Sequence, residues 1–127
     1  MKNSKNIRRI KGDASFRKFF RKKNGNFTSI IIFAKKEKEK NLLIYDSINK
    51  ILNKNKILAP KLYNENFVKN FIEIEDFGNE TIYKILKNNK NKFFIFKEII
   101  KLLNKVQLIK QRKISNFRKK KIYYTKI

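Results

Sequence analysis

Two stretches of this 127-residue chain combine residue types and spacing that could do chemistry. The first is Gly12–Arg21, GDASFRKFFR, which opens with Gly12-Asp13-Ala14-Ser15. A turn built from glycine and small residues lets main-chain N–H groups come close to a phosphate. The same four residues also suit an ordinary turn between two strands, so their weight depends on what surrounds them. The second stretch is Phe71–Gly78, FIEIEDFG, an apolar alternation that runs into acidic residues and a glycine. Glu73, Glu75, Asp76 and Glu80 are four of only ten acidic residues and fall within eight positions. They read either as part of a binding segment or as a solvated patch that balances nearby lysines. Histidine and cysteine are both absent, so the chain lacks the commonest general base and every thiolate metal ligand.

The elements that would position these stretches follow from hydrophobic periodicity. Asn6–Ile10 reads as a short strand, Lys11–Ser15 as a turn, and Phe16–Lys22 as a second strand with Phe16 and Phe20 on one face and Phe19 on the other. Asn24-Gly25 signals a two-residue hairpin, and Thr28–Ala34 (TSIIIFA) has the β-branched run of a strand buried on both faces. These three strands are expected to form an antiparallel meander. Asn41–Asn55 reads as a helix with Leu42, Tyr45, Ile48 and Leu52 inward, and Pro60 stops any continuation. Lys61–Asn64 and Val68–Glu75 read as two more strands around a turn at Asn64–Asn66. Glu80–Leu86 starts a short helix, and Lys92–Lys110 a longer one with Phe96, Ile99, Leu103 and Val106 as its core face. The expected fold class is α+β: a five-stranded antiparallel sheet with one packed helix, followed by two further helices.

The bulk numbers bound the function. With 41% hydrophobic and 13% aromatic residues, a packed core is within reach of one domain. The net charge of +24 attracts polyanions in principle, but Lys, Asn, Ile, Phe and Tyr all have A/T-rich codons and the lysines are scattered along the whole chain. Base composition therefore accounts for much of the excess. No apolar run nears the roughly 20 residues of a membrane span, and no apolar segment follows Arg8 and Arg9 as in a secretory signal, so a cytoplasmic location is expected.

Taken in order, GDASFRKFFR, an apolar third strand, a helix leading into Ile57-Leu58-Ala59-Pro60, and FIEIEDFG with Thr81 beyond it resemble the N-terminal lobe of the aminoglycoside phosphotransferase-like kinases. Within that superfamily they are most similar to the bacterial cell-wall amino-sugar kinases, which phosphorylate the anomeric hydroxyl of N-acetylmuramate or N-acetylglucosamine with ATP. The resemblance spans about Arg8 to Arg112. It implies a protein-kinase-like nucleotide-binding lobe at residues 1–78 and the beginning of a truncated C-terminal lobe at residues 79–127. It further implies that Gly12, Asp13, Ala14 and Ser15 lie over the phosphates of ATP, that Glu75, Asp76 and Phe77 form the hinge whose main chain binds adenine, and that Gly78 turns the chain into the second lobe. Lys35 follows Ile30–Ala34 as the phosphate-binding lysine of V-A-I-K would, with Glu37 or Glu39 as its ion-pair partner. The amino-sugar kinases often have D-A-P here, so phosphate contact and solvated charge both remain open for Lys35. The family's catalytic base and its Mg²⁺-holding aspartate lie in the second lobe, and this chain has no Asp after Asp76. No catalytic residue and no metal ligand is therefore assigned, and Mg²⁺ and the sugar acceptor are expected only with the missing lobe.

A second class of function uses the charge directly. Arg17, Lys18, Arg21, Lys22 and Lys23 interleave with Phe16, Phe19 and Phe20, as on a platform that binds phosphates and stacks bases of a single strand. Arg118–Lys121 with Tyr123 and Tyr124 offer a similar cluster for nucleic acid or an anionic membrane surface. Core aromatics that share strands with solvated lysines account for the same residues. Salt separates the two classes, since a polyanion binder weakens steeply with added salt and ignores adenine.

Overall fold

Apolar residues at every second position of TSIIIF and FIEIE select extended backbone with one face turned to a core. The computed structural model describes residues 6–11, 16–34, 40–110, 113–115 and 121–123. Strands β1 (Ile7–Ile10), β2 (Lys18–Asn24), β3 (Phe27–Phe33), β4 (Leu62–Asn66) and β5 (Phe71–Glu75) form one antiparallel sheet in the order β1-β2-β3-β5-β4. Helix α1 (Lys40–Lys54) connects β3 to β4, and β5 is inserted between those two strands. Helices α2 (Ile82–Asn88) and α3 (Lys92–Gln107) follow β5, and a short hairpin of β6 (Lys113–Ser115) and β7 (Lys121–Tyr123) follows them. The fold is thus α+β, with a five-stranded antiparallel sheet and three helices.

The register places the core. Phe19, Ile32 and Ile72 lie side by side across β2, β3 and β5, and Ile30, Ile74 and Leu62 make the adjoining row across β3, β5 and β4. These residues pack against Leu42, Leu43 and Tyr45 of α1 together with Ala34 and Phe67. Gly25 takes φ +60° at the first central position of the β2–β3 turn, which glycine adopts without steric cost.

Several expectations shift. Phe16 precedes β2 and is exposed, so β2 starts two residues late; of the two faces left open, the one with Phe19 turns to the core. The central residues of the hairpin are Gly25 and Asn26, because Asn24 still pairs with Phe27. The turn expected at Asn64–Asn66 falls at residues 67–70, where Asn70 takes φ +56°. The asparagines remain in β4 because it is an edge strand, whose polar side chains have room to reach solvent. On α1, Leu42 is buried as expected, but Ile48 is 42% exposed while Asp46, Ser47 and Asn49 are buried. The core face expected of α3 is not covered, since neither α2 nor α3 contains a buried residue. The β6–β7 hairpin lies in the basic tail, for which the periodicity predicts no element.

The two rows give a direct test of which face is core. Ile72→Ala, at a fully buried position, is expected to lower unfolding free energy by about 2–5 kcal/mol in urea. Ile48→Ala is expected to stay within about 0.5 kcal/mol. Equal losses would place Ile48 in the core and contradict the register of α1.

Candidate functional site

The two stretches singled out by their residue types meet through one side chain. Arg21 on β2 shares the core-side face with Ile30, its partner on β3, and so stands in the row of Ile30 and Ile74, next to the end of β5. Its Nε donates to Asp76 Oδ2 at 2.6 Å and its Nη2 to Asp76 Oδ1 at 2.9 Å. Nη2 also donates to the Gly78 carbonyl at 3.0 Å, and Nη1 to Asn79 Oδ1 at 2.7 Å. Four of the five guanidinium N–H groups are thereby used, all on the segment that leaves the sheet after β5. Asp76 Oδ1 accepts in addition from the Gly78 N–H at 2.8 Å, closing a local turn in which Gly78 takes φ +82°.

The neighbouring acids are engaged too. Glu75 Oε2 accepts from the Lys61 N–H at 3.2 Å, while the Glu75 N–H donates to the Lys61 carbonyl at 2.9 Å. This tethers the Pro60–Lys61 segment to the end of β5. On the sheet face away from Ile72 and Ile74, Glu73 accepts from Lys22 at 3.1 Å and from the buried Ser29 hydroxyl at 2.5 Å, which links β2, β3 and β5. Three of the four clustered acids therefore hold structural bonds, and a solvated patch does not describe them.

Beside the Arg21 clamp lies a cleft of about 530 Å³, within the usual range for small-molecule sites. Ile10, Phe19, Ile30 and Ile74 give it an apolar wall, Pro60 lines it, and Glu75–Asn79 run along its edge. Lys11 and Lys84 also line it. Lys84 is held by donating from Nζ to the Asn79 carbonyl at 3.0 Å, and its main-chain N–H caps onto Thr81 Oγ1. Among the described residues no hydrogen bond engages the main chain of Phe77, so its N–H and C=O are available at the cleft edge.

Glu75, Asp76 and Phe77 are thus brought together along this cleft, although the carboxylate of Asp76 is spent on Arg21. Gly12, Asp13, Ala14, Ser15 and Lys35, with Glu37 and Glu39, lie outside the described residues. Arg21, Asn79 and Lys84 were not expected at the site, and no local pattern marks a pair 55 residues apart. The alternation of FIEIE was the available signal for the apolar wall. The basic-aromatic platform is broken up: Phe19 and Phe20 point to opposite faces, Arg21 and Lys22 are ion-paired, and Arg17 stacks over Tyr45 at 5.4 Å. Among the described residues no group of three or more His, Cys, Asp or Glu could hold a metal ion.

Burial alone would raise the Asp76 carboxyl, but bonds from Arg21, the Gly78 N–H and Thr28, with the guanidinium charge, outweigh it and hold the group below the ordinary carboxylate value. The native state then binds fewer protons than the unfolded chain just below pH 4, so the stabilisation is complete at neutral pH and disappears as pH falls through the lowered value. Asp76→Asn is expected to cost about 2 kcal/mol at pH 7. The difference from the parent should shrink as denaturation is repeated at successively lower pH below about 4. A difference independent of pH would show that the ion pair is not its source.

Among protein-family models, curated proteins and solved structures, none matches this chain.

Proposed function

We propose that residues 6–84 form the nucleotide-binding half of a small-molecule phosphotransferase related to the amino-sugar kinases, with ATP as its nucleotide. The observation that carries this reading is the cleft itself. Its apolar wall, the free main chain of Phe77 and the clamped Glu75–Asn79 edge suit an adenine ring, and the element order around it is the one the resemblance implies. Bound ATP would supply the transferable phosphoryl group. The chain's own residues hold and orient the nucleotide. Ile10, Phe19, Ile30 and Ile74 exclude water from the base, and Phe77 offers it one N–H and one C=O. Lys11, which precedes Gly12 in the sequence, and Lys84 supply positive charge for the phosphates. Arg21 fixes the edge against the sheet, so the base meets a rigid strip instead of a mobile loop. No residue is assigned to proton abstraction, to the metal or to the acceptor sugar.

Titration with ADP, followed by amide NMR, tests the reading. Shifts are expected at Phe77 and at the wall residues, with a dissociation constant on the order of 0.1–1 mM. Ile10→Trp, which adds bulk to the cleft wall, should weaken ADP at least about tenfold with little change in melting temperature. Equal response to ADP and to inorganic pyrophosphate would reduce the site to phosphate attraction and overturn the adenine assignment.

A further inference from the structure

We infer that α3 is a membrane-surface element that lays its apolar face into an anionic lipid bilayer. On α3 the residues Phe93, Phe96, Ile100 and Leu103 recur at three- and four-residue steps, so they form one stripe along the helix. All four are more than half exposed, and Phe93 is 79% exposed. Lys97, Lys101 and Lys105 run at four-residue steps along another side. The single acid, Glu98, is taken by Lys101 at 2.6 Å. Between Ile82 and Lys110 there are eight lysines and one glutamate. An uncovered apolar stripe of this extent is unusual on a protein surface and points to an occupant.

Charge selects the occupant. A second copy of the chain would bring another +24 charge against this surface, which opposes face-to-face pairing. An anionic bilayer instead satisfies both sides at once: its acyl boundary accepts the phenylalanines and its head groups neutralise the lysines. Among the described residues no helix is long and apolar enough to cross a membrane. Sixteen residues make a rod of roughly 24 Å that suits the plane of the interface. The inference does not depend on the nucleotide reading, since the cleft residues lie outside α3.

Vesicle sedimentation of the full chain at physiological salt tests it. Binding is expected to vesicles of phosphatidylcholine with about 30 mol% phosphatidylglycerol, and not to phosphatidylcholine alone. Phe96→Asp with Ile100→Asp should reduce partitioning at least about tenfold, at exposed positions where the fold has little to lose. Lys97→Gln with Lys105→Gln keeps the apolar stripe, and should also weaken binding, by about fivefold per lysine. Circular dichroism and ADP titration of the same variants should match the parent. Four results would each overturn the inference: no binding to either vesicle, equal binding to both, binding that ignores both sets of variants, or a dimer that Phe96→Asp dissolves and that does not bind vesicles. Displacement by polyuridylate with no effect of Phe96→Asp would assign the charge to nucleic acid and overturn it as well.

Discussion

The Arg21–Asp76 ion pair is the constraint on which the geometry of the cleft depends. The sheet ends at Glu75, and from there the chain must leave it and enter α2 without a strand partner. A segment in that position has no ladder of hydrogen bonds and would ordinarily be mobile. Here one guanidinium, 26% exposed, grips a carboxylate that is 3% exposed, and also binds the Gly78 carbonyl and the Asn79 side chain. The planar fork of arginine can do this in fixed orientation, whereas a lysine at the same place would supply charge without direction. The acid edge of the cleft is thereby held to β2, and so indirectly to the apolar wall made by Phe19, Ile30 and Ile74.

A second aspartate shows the opposite balance between burial and partners. Asp46 on α1 is 2% exposed, and Lys50 reaches its Oδ2 at 2.6 Å. Desolvation nevertheless dominates there, and with the nearby Glu65 it raises the Asp46 carboxyl above its ordinary value. At neutral pH that ionised group opposes folding, and the penalty eases as pH falls through the raised value. Asp76 receives two arginine N–H groups, a main-chain N–H and the Thr28 hydroxyl, and goes the other way. The two carboxylates thus contribute with opposite sign: at Asp46 desolvation outweighs a single flexible ammonium, whereas at Asp76 the donors together outweigh desolvation.

Much of the fold was legible because it rests on local periodicity. The five strands, the three helices and their order follow from alternation in TSIIIFA and FIEIE and from three- and four-residue spacing later in the chain. The errors have tertiary causes. Asn64 and Asn66 resemble turn residues, yet an edge strand can carry them, and the reversal moved to residues 67–70. On α1 the apolar spacing favoured Ile48, but the helix buries Asp46, Ser47 and Asn49 instead, with Lys50 reaching Asp46 and Ser47 bonding the Leu43 carbonyl at 2.8 Å. Of the site, the acidic edge was legible as a composition anomaly. Its partner was not, because nothing local distinguishes Arg21 from Lys22 or Lys23. Only the register, which sends Arg21 to one face and Lys22 to the other, separates their roles.

That separation bears on the whole charge of the molecule. In and beside the sheet three cations have individual partners: Arg21 in Asp76, Lys22 in Glu73, and Arg17 in the ring of Tyr45. Seven of the ten acids precede Asp76, and only Glu80 and Glu98 follow it. Lysines continue at the same density into α2 and α3, where the acids needed to match them have run out. The same base composition could have enriched the chain in lysine throughout, but it does not explain why the acids stop. Nor does it explain why the unmatched lysines share a helix with an uncovered phenylalanine stripe. Cation excess and an uncovered apolar stripe thus coincide along α3, which is the combination that an extended anionic surface with an apolar interior would match.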